Sequence, residues 1–104
     1  MAKYLFVYHG GKHPDSDAEK AQVMDAWGKW MGGMGSALVD GGNPVGVSST
    51  VNSDGSVAEN GGANPASGYS LVEAASRADA LAHAKGCPIL AAGGTVEVAE
   101  AIDM

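Results

Sequence analysis

The chain has 104 residues, a formal net charge of −6 and 45% hydrophobic residues, which predicts one globular domain over residues 1–104. It has only six basic side chains, too few to form the basic patch that nucleic acid or an anionic membrane surface would require. A single cysteine excludes an internal disulfide and favours a reducing, cytoplasmic location.

The first predicted element is a strand from Lys3 to His9. Its apolar run follows a lysine but is too short for the core of a signal peptide. No stretch of the chain reaches the ~20 apolar residues of a membrane span. Both faces of the strand are largely apolar, which is typical of a strand covered on both sides. Alternation places Tyr4, Phe6 and Tyr8 on one face and Leu5, Val7 and His9 on the other.

A helix is predicted next, from Asp17 to Met34, with Asp15 or Ser16 as its N-cap and a glycine-rich end. An apolar stripe follows one face of this helix at helical spacing. Such a stripe belongs to the core or lines a ligand pocket. The two interpretations overlap, because a side chain that lines a pocket can also be part of the core. Its members are Val23, Trp27, Trp30, Met31 and Met34.

The middle of the chain predicts short strands joined by turns. Residues 37–40 form one strand, residues 45–51 form a second β-rich run, and residues 56–59 return as a third after the turn at 52–55. A glycine-rich loop follows. It lacks both the P-loop lysine and the G-x-G-x-x-G spacing, which favours a flexible connection over a phosphate site.

The last third predicts a strand from Gly68 to Ala75, a helix from Ser76 to Gly86 and a final strand from Thr95 to Ile102. The complete order is β-α-β-β-α-β with an additional hairpin. It predicts an α+β, ferredoxin-like fold, in which an antiparallel sheet carries both helices on one face. The other face is left bare, and a second copy of the chain is the simplest cover.

Four stretches that span nearly the whole chain resemble the YCII-related family of the dimeric α/β-barrel superfamily. They are KYLFVYHGG, AWGKWMGGMGSALVDGGNPVG, GYSLVEAASRADALAHAKGCPIL and GTVEVAEAIDM. The resemblance implies a ferredoxin-like subunit, a homodimer packed sheet on sheet, and a cleft between sheet and helices. It implies no particular reaction, because one fold serves many functions.

Two features of the family are missing from the sequence. One branch carries a D-G-P-F signature before the G-Y strand, where this chain has ENGGANPAS. Another branch has a His–Asp pair associated with the long helix and its exit, but this helix contains no histidine. That pair is therefore not transferred to the chain.

The candidate catalytic residues are His9 and Asp40. His9 ends a strand beside two glycines and can act as a general base or be a loop-edge histidine. Asp40 also ends a strand and can orient His9 or bond its own turn. His13 lies four residues beyond His9, but the intervening GGK does not favour a helix, so no metal site is predicted.

The candidate ligand-binding residues are aromatic and border the cleft that the resemblance implies: Tyr8, Trp27, Trp30 and Tyr69. His83 and Cys87 also lie close together, near the end of the second helix. Cys87 directly precedes Pro88 at a helix exit, where nothing favours a thiolate, so both residues are predicted to be scaffold.

Two functional hypotheses follow. In the first, the chain is an enzyme that needs no cofactor and acts on a small organic substrate in the cleft, aromatic or lactone-like, with His9 as base. In the second, it is a non-catalytic ligand-binding or regulatory dimer. The first requires His9 to face the cleft beside a polar partner, whereas the second requires only an apolar pocket.

Overall fold

The computed structural model describes residues 1–103. Two α-helices and six strands follow one another along this part of the chain, with single 3-10 turns at Gly35–Ala37 and Pro88–Leu90. In chain order the elements are β1 (Ala2–His9), α1 (Asp17–Met34), β2 (Leu38–Asp40), β3 (Thr50–Val51), β4 (Val57–Ala58), β5 (Ala66–Ala74), α2 (Arg77–Ala84) and β6 (Thr95–Ala101).

Four of the strands form one sheet in the order β2-β5-β1-β6. Every neighbouring pair is antiparallel, and β1 lies at the centre, with Leu5 opposite Leu71 on one side and Ala99 on the other. The strands β3 and β4 form a separate hairpin. This order and the two helices confirm the predicted α+β, ferredoxin-like fold.

The predicted and observed element boundaries agree best for a long element with a clear capping residue. Helix α1 has the predicted bounds, and the Ser16 hydroxyl caps it by accepting from the Glu19 amide at 3.1 Å. The predicted strand over 45–51 shrinks to two residues. At its start, Val45 donates one backbone hydrogen bond to Ser67 of β5, and the preceding Pro44 forms an isolated bridge with Gly68. A regular ladder does not form at Pro44, because proline has no backbone N–H to donate.

The core lies between the sheet and the two helices. Phe6 and Val72 are fully buried at the centre of the sheet. Met34 of α1 and Ala80 and Ala84 of α2 belong to the same cluster. Burial therefore follows one set of alternating strand positions, which places both helices on that face.

The opposite face of the sheet, called here the open face, carries no helix. Its central positions are apolar, with Leu5 38% exposed beside Val7 and Leu71, which are half-buried. Val39 in the edge strand β2 is 43% exposed. No helix within residues 1–103 is long and apolar enough to cross a membrane.

Candidate functional site

A large groove of about 1340 Å³ lies between helix α1 and the end of the sheet where β1 finishes and β5 begins. The 10–14 loop and the 41–44 loop border it, and so does the segment that follows α2. Helix α1 covers the groove loosely, because Met34 is the only one of its residues that is buried. The groove lies between the sheet and α1, where the family resemblance implies a cleft.

Three aromatic side chains form one wall of the groove. The rings of Tyr8 and Trp27 meet edge to face with centroids 5.0 Å apart, and those of Trp27 and Trp30 do so at 5.6 Å. The Trp30 indole N–H donates to the carbonyl of His83 at 2.9 Å and so ties α1 to α2.

Tyr8 is held at the base of this wall by a chain of hydrogen bonds. Its hydroxyl donates to the Ser70 hydroxyl at 2.7 Å, and Ser70 donates in turn to the Gly41 carbonyl at 2.7 Å. Burial raises the pKa of Tyr8 to about 12 although the bond to Ser70 opposes the rise. The phenol is therefore neutral at physiological pH, and its role in the groove is to provide surface and rigidity.

Tyr69 borders the groove where β5 begins. Strand alternation places its ring on the open face, since Val7 is its register partner and the neighbouring Gly68 and Ser70 are buried on the helix side. Its hydroxyl accepts a long hydrogen bond of 3.4 Å from the Asn43 side chain. Of the four predicted ligand-binding residues, Tyr8, Trp27 and Trp30 thus meet on one wall, and Tyr69 does not join them.

His9 lies on the open face and does not line the groove. Its Nε2 is 2.9 Å from a carboxylate oxygen of Glu97, and its Nδ1 is 3.0 Å from the carbonyl of Asn64. Both partners are acceptors, so both contacts are hydrogen bonds only when the ring carries two protons. In that arrangement neither nitrogen offers a lone pair to a substrate, and the ring joins a loop to β6.

Asp40 does not pair with His9. Its carboxylate accepts from the Gly42 amide at 2.8 Å and so closes the turn that follows β2. The strand β2 is at the edge of the sheet, separated from β1 by β5. The two residues proposed as a catalytic pair therefore lie apart, and the condition that His9 face the cleft is not met.

The groove mouth carries polar side chains that the sequence analysis did not assign to a site. Lys12, His13 and Asn43 line it. His13 is thus in the groove while His9 is on the other face, so the two do not form a ligand pair. Residues 1–103 contain no group of three or more side chains of the His, Cys, Asp and Glu types that could hold a metal ion.

Cys87 is a free thiol that packs into the core and is 3% exposed. Burial raises its pKa to about 11, although a backbone hydrogen bond from Ile89 opposes the rise. A thiol of that pKa is not an activated nucleophile at neutral pH. His83 contributes its carbonyl to Trp30. Burial and the raised pKa support the scaffold role that the sequence predicts for Cys87.

Raising the pH above 9 is expected to destabilise the fold through Tyr8 and Cys87. Their pKa values rise from 10.0 to about 12 and from 9.0 to about 11 on folding, so the unfolded chain loses these protons first. The contribution is complete below pH 9 and is lost as the pH rises towards 12, on the order of 2–3 kcal/mol for each group. Urea unfolding at pH 8 and at pH 11 measures it. The variant Tyr8→Phe/Cys87→Ala should lose less stability over this interval, and an equal loss in both proteins would contradict the assignment.

Two features of the site could have been found in the sequence. Alternation along β1 already separates Tyr8 from His9, so the two cannot serve one cleft. Lys12 and His13 occupy a loop between a strand and a helix, a common place for binding residues. The bond between His9 and Glu97 had no local signal, because 88 positions separate the two residues.

No protein-family model matches the chain, and no curated protein matches it either.

Proposed function

We propose that the chain binds a small organic ligand in the groove between the sheet and α1. The observation that carries the proposal is the aromatic wall formed by Tyr8, Trp27 and Trp30. Aromatic rings packed edge to face around an open space, with a few polar groups at the mouth, are typical of small-molecule sites.

The groove favours binding over catalysis by the predicted base. His9 is on the other face and both of its nitrogens contact acceptors. The buried phenol of Tyr8, with a pKa of about 12, does not exchange protons near neutral pH. A non-catalytic ligand-binding or regulatory module is therefore the better supported of the two functional hypotheses.

We also propose that the chain is a YCII-related protein that works as a homodimer in the cytoplasm. The strand order β2-β5-β1-β6 supports the family, since the resemblance implies a ferredoxin-like subunit. The apolar centre of the open face supports the dimer, because apolar surface of this kind is usually covered. The single cysteine supports a reducing compartment.

Light scattering at micromolar concentration is expected to give about twice 10.4 kDa, the mass of one chain. The variant Leu71→Asp should give the monomer, since it places a charge opposite Leu5 at the centre of the open face. Val47→Asp is the matched control, because Val47 is 93% exposed and lies outside the sheet. A folded wild-type monomer at this concentration would rule out the dimer.

Titration with 2-naphthamide, a neutral aromatic amide, is expected to perturb the groove and leave the open face unchanged. Amide NMR signals of Gly41, Gly42 and Gly68 should move, together with the indole N–H signal of Trp27. The Trp27→Ala variant should bind at least about five-fold more weakly, since it loses an aromatic contact surface. Perturbation confined to Leu5 and Leu71 would contradict the groove as the binding site.

A further inference from the structure

We propose that the first half of α1, residues 17–26, is a lid that closes over a ligand in the groove by bending at Gly28. This inference rests on the proposed function and adds how the groove opens and closes. Three observations carry it: the exposure of this half of the helix, the anchoring of the other half, and helix glycines that no neighbouring atom requires.

The first half of α1 is not packed against the rest of the protein. Every residue from 17 to 25 is exposed. Val23 and Met24, two apolar residues that line the groove, are among them. Helices of globular proteins owe most of their stability to an apolar face buried against other elements, and short helices are marginal without it. This half of α1 therefore has little local stability, which favours movement.

The second half of α1 is anchored. The Trp30 indole N–H donates to the carbonyl of His83 at 2.9 Å, and Met34 is buried in the core. The Trp27 ring meets Tyr8 edge to face. The anchored half thus begins at Trp27, and the exposed half ends just before it.

Three glycines inside α1 have no steric reason to be glycine: Gly28, Gly32 and Gly33. A Cβ atom at any of them would meet nothing within 4 Å, and none of the three has a positive φ. Glycine weakens a helix interior, because it leaves the backbone more conformational freedom than any other residue. Gly28 directly follows Trp27, so the weak point of the helix lies where the anchored half begins.

Both ends of the lid are defined by the structure. At the start of the loop before α1, the Lys12 backbone N–H donates to the carbonyl of Ala92 at 2.9 Å. At the other end, the ion pair between Asp25 and Lys29 spans Gly28 at 3.0 Å, but both side chains are exposed and such pairs contribute little. The segment can therefore turn between Lys12 and Gly28 without breaking a strong contact.

Closure gains its driving force from the ligand. The groove has a volume of about 1340 Å³, and the side chains of Val23 and Met24 meet water in it. A ligand seated on Trp27 and Trp30 offers these residues an apolar surface, so the inner side of the lid becomes buried when it bends inwards. Binding therefore converts an exposed half-helix into a protected one.

Amide hydrogen exchange, followed by NMR with and without saturating 2-naphthamide, tests the lid directly. In the free protein, the amides of residues 21–26 should exchange much faster than those of Phe6 and Val72 at the centre of the sheet. The ligand should slow exchange in residues 21–26 at least about ten-fold, and in residues 30–34 less than about two-fold.

Two glycine variants separate bending at Gly28 from general helix stability. Gly28→Ala and Gly32→Ala both fill open space, and each should raise the folding equilibrium constant about four-fold. Gly28→Ala should also weaken 2-naphthamide about four-fold, because alanine favours the straight helix over the bent one. Gly32→Ala is the matched control and should leave binding unchanged. Tryptophan fluorescence reports binding, because both tryptophans of the chain line the groove.

Gly28 itself borders the groove, so a series of side chains separates bending from obstruction. Alanine is the smallest of alanine, serine and asparagine, but it is the strongest helix former of the three. If the lid bends at this position, Gly28→Ala weakens binding most and Gly28→Asn least. The reverse order would show that the side chains obstruct the ligand, and it would overturn the lid.

The remaining outcomes distinguish the lid from the proposed function. If 2-naphthamide binds in the groove but leaves exchange in residues 21–26 unchanged, the lid is wrong and the groove remains a binding site. The same conclusion follows if Gly28→Ala and Gly32→Ala have equal effects on binding. If 2-naphthamide does not bind at millimolar concentration, both the lid and the proposed function fail.

Discussion

Replacing Phe6 with alanine is expected to lower the free energy of unfolding by about 3–5 kcal/mol, the cost of removing a buried aromatic side chain and leaving a cavity. Phe6 is 0% exposed in the central strand β1. Its ring also stacks with Trp30 at a centroid distance of 6.4 Å. The substitution therefore removes one of the aromatic contacts between α1 and the sheet as well as core volume.

Urea unfolding of both proteins, followed by circular dichroism, measures this effect. Phe6→Leu keeps most of the volume and should cost about 1 kcal/mol, so it retains a measurable transition if the alanine variant does not fold. Val47→Ala is the neutral control, because that side chain is 93% exposed. A loss below 1 kcal/mol for Phe6→Ala would show that the core is centred elsewhere.

Replacing Gly42 with alanine is expected to cost about 2–5 kcal/mol, through backbone strain and a steric clash together. Gly42 has a φ of 69°, in the left-handed region that favours glycine. A Cβ atom at this position would overlap the carbonyl oxygen of Tyr69 in β5. The turn would have to move away from β5, and the Asp40 bond to the Gly42 amide would be lost.

Gly55 supplies the matched control for this prediction. Its φ of 87° is also left-handed, but a Cβ there would meet nothing within 4 Å. Gly55→Ala should therefore cost only the backbone strain, about 1–2 kcal/mol. Equal losses of unfolding free energy in the two variants would show that the close approach of Gly42 to β5 is unimportant for stability.

Elements with strong local signals could be predicted from the sequence. Helix α1 combines an apolar stripe with a capping serine and terminal glycines, and its bounds are those predicted. The hairpin of β3 and β4 was harder to delimit, because two-residue strands exist only through their pairing. The β-propensity of a short run does not determine which strand it will pair with.

The candidate site was less accessible to sequence reasoning than the fold. Helical spacing placed Trp27 and Trp30 on one face of α1, and strand alternation placed Tyr8 on one face of β1, but it was the family resemblance that implied a cleft beside them. The partners of His9 depend on the register between β1 and β6 and on where the loop before β5 lies. Such long-range register is set by the packed sheet as a whole. The sequence could therefore identify His9 as a candidate residue but could not predict its hydrogen-bond partners.

The central position of β1 has a consequence for how the chain is made. This strand precedes both of its partners in the chain: β5 lies about 60 to 70 residues later and β6 about 90 residues later. Contacts of such long range slow folding, and an unpaired apolar strand invites aggregation while it waits. During synthesis the alternating aromatic residues of β1 therefore remain unpaired until β5 and β6 have emerged.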